Sequence, residues 1–189
     1  MEGPGTAFHN GPTYAVESER IWAAGDVDPR WRELGHQAGL EGGDAGLNDF
    51  RPKYFHLTGK FQPMRRGKTN KNKVISDKAV ATEGEVGGEP ILIRWVNASY
   101  TRQSIWFDGI DDGSLEVDVI ASDGRGFDNV APNFAKPFRM TKPLETGSSE
   151  RYDLLIRPLR TGTSAATISY LDWITGEELG VVRSTITGV

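Results

Sequence analysis

The sequence predicts an all-β sandwich with very little helix, and three observations carry that expectation. Apolar residues recur at every second position in several short runs. Leu115, Val117 and Val119 alternate with Glu116 and Asp118, and Tyr152, Leu154 and Ile156 alternate with Asp153 and Arg157. Such period-two alternation marks a strand with one wet face. The 23 glycines and 10 prolines are spread along the chain, as expected of many short elements joined by tight turns. Helical signals are confined to one short stretch.

Taken from the N-terminus, residues 1–15 are polar and marked by glycine and proline, so they read as an extended arm that is ordered only by docking. Residues 16–189 read as one domain, a size suited to a single core. Asp28-Pro29 supplies an N-cap acceptor followed by proline at the first helical position, where its missing N–H costs nothing. That helix runs through Trp31–Leu34 before Gly35 and the loop Gly39–Asp49 end it. Residues 64–73 form a basic loop carrying Arg65, Arg66, Lys68, Lys71 and Lys73. Ile91–Val96 is apolar on both faces, as expected of a central strand or one covered by a neighbour. Ile168 and Tyr170 flank Ser169, and Val181, Arg183 and Thr185 follow at even spacing. Thr175-Gly176 suits the hairpin turn between these two runs.

Composition excludes several kinds of chemistry. The chain has no cysteine, so it has no disulfide, no thiolate nucleophile and no cysteine-ligated metal. A net charge of -4 gives no global reason to expect nucleic acid or an anionic membrane as partner. No run approaches the roughly 20 apolar residues of a membrane helix, and Met1–Gly5 shows no secretory leader. No G-x-S-x-G elbow is present. The glycines at 42–43 and at 124 and 126 read as turn glycines, because neither set opens a helix after a strand as a phosphate cradle would.

Five motifs occur in the order expected of one family. Glu17–Trp22 with Asp26–Pro29, Arg51–Lys60, Glu89–Ser99, Val119–Arg125 and Ser148–Ile156 resemble successive strands of the middle domain in bacterial multicopper oxidases. The likeness covers roughly residues 17–189. Each motif alone is weak, and their order is the signal. The resemblance implies a cupredoxin-like Greek-key β-sandwich that acts as a spacer beside copper-bearing cupredoxin domains, in the periplasm or outside the cell. Thr58 stands where the family has asparagine, and the Ser104–Phe107 strand lacks the histidine of copper-bearing relatives.

The donor set bears on that resemblance directly. A blue-copper centre needs a thiolate and two imidazoles, whereas this chain offers only His9, His36 and His56. The expectation is therefore no catalytic and no metal-ligating residue, no cofactor bound by this chain, and copper held by a partner chain or domain. Partners would be copper-bearing cupredoxin domains or subunits, or further copies of this chain. A mononuclear copper site between identical chains is a smaller alternative. Asp108, Asp111, Asp112 and Gly113 do not follow the EF-hand spacing and read as an acidic turn. Asn97-Ala98-Ser99 matches a glycosylation sequon but falls in a strand motif, so its asparagine reads as structural. The basic loop has two readings: a solvated loop, or a docking element for an acidic partner. In the second, Arg65, Arg66, Lys68, Lys71, Lys73 and the amphipathic Trp106 are the candidate partner-binding residues, and the domain serves as a scaffold module.

Overall fold

A computed structural model describes residues 5–8, 11–31, 33, 50–62, 64–66, 68–127 and 136–189. His9, His36 and the expected loop at 39–49 lie outside the described residues. The strands are β1 Gly5–Thr6, β2 Thr13–Tyr14, β3 Arg20–Val27, β4 Tyr54–Leu57, β5 Lys60–Phe61, β6 Met64–Arg65 and β7 Lys68–Thr69. They continue as β8 Thr82–Gly84, β9 Ile91–Asn97, β10 Arg102–Phe107, β11 Leu115–Ser122, β12 Arg125–Gly126 and β13 Phe138–Arg139. The last four are β14 Leu144–Thr146, β15 Arg151–Pro158, β16 Gly162–Leu171 and β17 Glu178–Gly188.

Two sheets make the sandwich. One has the order β14-β10-β16-β17-β8, and the other β12-β11-β15-β9-β3-β4-β5 with β13 also on β11. Two small hairpins, β1-β2 and β6-β7, stand apart. Most neighbours are antiparallel, but β3 runs parallel to β9 and β17 parallel to β8. The chain passes repeatedly between the two sheets, as from β8 to β9 to β10 to β11, and so forms an all-β sandwich of the kind the alternation predicts.

The core follows from that alternation. Trp22, Ile93, Trp95, Val117, Val119, Leu154 and Ile156 from the larger sheet meet Ile105, Phe107, Ile168, Tyr170, Val182 and Ile186 from the smaller. Trp22 stacks on Phe107 at 6.3 Å, and Phe55 meets Tyr170 at 4.8 Å. Val182 and Ile186 point inward, so the evenly spaced Val181, Arg183 and Thr185 line the other side of β17. The β16-β17 hairpin turns at Asp172–Glu177, with Gly176 at φ 71°.

Asp28 caps the helical turn that begins at Pro29, as its sequence context predicts, while Arg32 and Leu34 of the expected helix lie outside the described residues. Its carboxylate accepts from the Arg30 backbone N–H at 3.0 Å and from the Arg51 N–H at 2.8 Å. Burial pushes this carboxyl up, but backbone N–H groups outweigh it and hold it below the ordinary value. Asn97 is wholly buried and structural. Its amide donates to the Thr101 and Thr146 carbonyls, and its oxygen accepts from the Ser99 N–H at 3.0 Å.

Candidate functional site

The outer face of the larger sheet is divided into two halves. On one half Leu92, Ile120 and Leu155 project outward and are sealed by Ala7, Phe8 and Tyr14 of the arm together with Val16, which follows it. The apolar outer face of β9 is thus covered partly by this chain itself. A polar clasp fixes the arm: Arg94 donates from Nε to Glu19 at 2.6 Å, from Nη1 to Asp153 at 3.1 Å and from Nη2 to the Ala7 carbonyl at 3.3 Å. Tyr14 adds its hydroxyl to Glu19 at 2.8 Å. Burial pushes the Glu19 carboxyl up, yet the bonds from Arg94 and Tyr14 prevail and hold it below its ordinary value. The seat is shaped for the arm, because a Cβ on Gly126 would lie 2.4 Å from the Phe8 ring.

The other half of the same face is open. Ile21 is 59% exposed, Phe61 52% and Tyr54 42%. Tyr54 and Phe61 meet edge to face at 6.3 Å, and His56 lies 5.2 Å from Phe61. The imidazole covers Gly25 across the β3-β4 pair. Burial lowers its pKa, with the Asp26 charge opposing. Its Nδ1 is buried and has no hydrogen-bond partner.

The sequence-predicted docking residues are not brought together as one patch. Arg65 and Lys68 pair across the β6-β7 hairpin, and Arg66 at its turn has φ 45° and is exposed. The loop that follows is held from below by buried Gln62, whose amide donates to the Asn70 and Lys73 carbonyls. Lys68 and Lys73 are exposed, whereas Lys71 forms an ion pair with Glu178. Trp106 pairs with Thr167, four residues along β16 from the Leu171–Glu178 pair, or about 13 Å. Its indole N–H donates to Asp111 at 3.1 Å, within the acidic turn.

One end of the sandwich carries a cavity of about 520 Å³ that sequence reasoning missed. Phe50, Arg51, Tyr100, Trp173, Ile174 and Leu179 line it. Tyr100 packs 4.9 Å from Phe50 and 5.1 Å from Trp31, and the Trp173 indole donates to the Tyr100 carbonyl at 2.7 Å. Asp26 fixes this loop by accepting from the Tyr100 and Thr101 N–H groups and the Thr101 hydroxyl. Burial is the larger influence on Asp26, and its carboxyl sits above the ordinary value despite those bonds. The rings come from separate loops, so no local motif could have announced them.

These features sit on a cupredoxin-like sandwich. A copper-containing nitrite reductase from Thermus scotoductus SA-01 is similar with a TM-score of 0.50 at 12% identity, over 93% of this chain and 33% of that one. The copper nitrite reductase of Nitrosomonas europaea is similar with a TM-score of 0.50 at 11% identity, over 90% of this chain and 48% of that one. A multicopper oxidase gives 0.48 at 12% identity, over 94% and 46%. The chain therefore spans between a third and a half of the length of these proteins, and at such identities the likeness is one of fold. No protein-family model matches the chain. No curated protein matches it either.

Copper is the metal this fold suggests, and the residues present do not fit a blue-copper or trinuclear centre. The chain has no thiolate. Among the described residues, His56 is the one imidazole, and it is packed on Gly25 and Phe61. No group of three or more histidine or carboxylate side chains among them could hold a metal ion. Among the described residues no helix is long and apolar enough to cross a membrane.

Proposed function

We propose that this chain is a non-catalytic, copper-free cupredoxin domain that docks beside copper-bearing cupredoxin domains of a multicopper oxidase-type assembly. The observation that carries this reading is the uneven cover of the larger sheet. The arm seals one half of the outer face, while Ile21, Tyr54 and Phe61 stay open on the other. Exposed aromatic and aliphatic residues clustered on one face are the usual material of a protein interface. The fold and the donor set support the rest: a sandwich shared with copper proteins, in a chain without the thiolate that blue copper requires. The domain would contribute spacing and orientation, in the periplasm or outside the cell, and electron transfer would belong to its partners.

The test has two parts. Purified chain incubated with Cu(II) and desalted is expected to retain no stoichiometric copper and to consume no dioxygen. Blue colour or unaided oxidase activity overturns the reading. A histidine-rich cupredoxin partner encoded in frame or next to this chain is expected to co-purify with it, and Ile21→Glu with Phe61→Glu is expected to break that association. Retention of the complex by the double variant removes this face as the interface.

A second reading is a stand-alone scaffold that recognises an acidic partner through the basic hairpin. Exposed Arg66 and Lys68 at its tip favour it. Charge reversal at Arg65, Arg66 and Lys68 would then abolish partner binding without unfolding the domain, and unchanged affinity counts against it.

A further inference from the structure

The geometry points to the end cavity as a binding site for a planar aromatic carboxylate. Its volume of about 520 Å³ falls within the range of small-molecule pockets, which are mostly apolar with a few placed polar groups. Three things make it a built site for that chemistry: fixed ring walls, hydroxyls already committed elsewhere, and one guanidinium with donors to spare.

The walls are rigid. Tyr100, Trp31 and Phe50 form a cluster in which each ring meets the other two, and the Tyr100 backbone N–H is pinned by Asp26 at 3.0 Å. Trp173 is half exposed, yet its indole N–H is spent on the Tyr100 carbonyl, so what it offers a ligand is an apolar ring. The turn beneath it is tied by Asp172, whose carboxylate accepts from the Ile174 and Thr175 N–H groups at 2.9 and 2.8 Å. Aromatic walls held before binding favour a flat ring, which stacks at little entropic cost.

The polar lining selects the charge. The Thr101 hydroxyl donates to Asp26 and the Ser148 hydroxyl to the Ser99 carbonyl, both away from a ligand. Asp172 spends Oδ1 on the N–H groups of its own turn, and those bonds, with a smaller contribution from the Arg51 charge, hold its carboxyl below the ordinary value. Arg51 is the cation in the lining, and one N–H of its five is used, on the Phe50 carbonyl at 3.0 Å. Its backbone is fixed independently by Asp28 at 2.8 Å. A guanidinium with unused donors beside aromatic walls matches a carboxylate on a flat ring, through charge-assisted hydrogen bonds.

The experiment is a titration of the full chain with naphthalene-2-carboxylate and, separately, its neutral carboxamide, read by tryptophan fluorescence and by ligand-observed NMR. The wild-type chain is expected to bind the carboxylate about tenfold or more tightly than the carboxamide. Arg51→Met is expected to abolish that preference while keeping carboxamide binding. Trp173→Ala is expected to weaken both ligands. Circular dichroism confirms that each variant is folded, and Asp172 and Asp28 keep their backbone partners in both. Equal affinity of the two ligands for the wild type, an unchanged preference in Arg51→Met, or no binding of either ligand overturns the proposal.

Discussion

The imidazole of His56 lies where a side chain on Gly25 would have to go. A Cβ built on Gly25 falls 2.4 Å from Nε2 and 2.5 Å from Cε1 of that ring. The two residues face each other in the β3-β4 register, and the missing side chain lets the ring lie flat on the sheet with Phe61 beside it. Gly25→Ala should therefore destabilise the fold by about 1–3 kcal/mol, as overpacking does. Urea denaturation of Gly25→Ala and of Gly25→Ala/His56→Ala checks it: the double variant should recover most of the loss, because the obstruction is the ring alone.

Thr58 occupies a left-handed position, φ 48°, next to Gly59 at φ 74° in the two-residue turn joining β4 to β5. Such hairpin turns favour asparagine or glycine, and a β-branched residue is strained there. The hydroxyl offsets that strain by donating to the Ile21 carbonyl at 2.8 Å and accepting from the Ala23 N–H at 3.2 Å. Thr58→Val keeps the shape and the strain but loses both bonds. It should cost about 1–2 kcal/mol by chemical denaturation.

Asn97 joins three segments from inside the core, so Asn97→Ala should cost about 2–4 kcal/mol through the donors and acceptors it abandons. The same burial makes its sequon unusable in the folded protein. Mass spectrometry of folded chain exposed to a glycosylating enzyme should show no sugar on Asn97.

Asp118 receives hydrogen bonds from Arg139 at 2.6 Å and from Arg157 at 2.6 Å. Burial pushes its carboxyl up, but the two guanidinium groups prevail and hold it below the ordinary 3.8. A depressed carboxyl stabilises the fold in full above 3.8, and that contribution is lost as the pH falls through the folded value. Asp118→Asn should cost about 1 kcal/mol at neutral pH, discounted because the arginines are partly exposed. Paired denaturation curves should show the gap between variant and parent closing as the pH falls below 3.8.

The strands were legible because their alternation is local: Val117, Val119, Leu154 and Ile156 all point into the core their spacing predicts. The Asp28 cap is of the same local kind. That the arm docks was legible, but its seat was not, because Leu92, Ile120 and Leu155 lie on three strands whose adjacency only the topology supplies. The end cavity was hidden for a related reason: Phe50, Tyr100 and Trp173 are far apart in the chain and meet only when three loops converge. Charge density alone grouped Lys71 with its basic neighbours, and its pairing with Glu178, more than a hundred residues away, could not be read from that run.

Both sheets of the sandwich end in very short strands. β12 and β5 have two residues each, while β14 and β8 have three. A long unpaired edge is a template on which another chain can add a strand, and such growth leads to fibres. Among the described residues these outermost strands are themselves too short to serve as such a template. An added strand would find little backbone to pair with there, which leaves recognition to side chains, where surface chemistry can choose the companion.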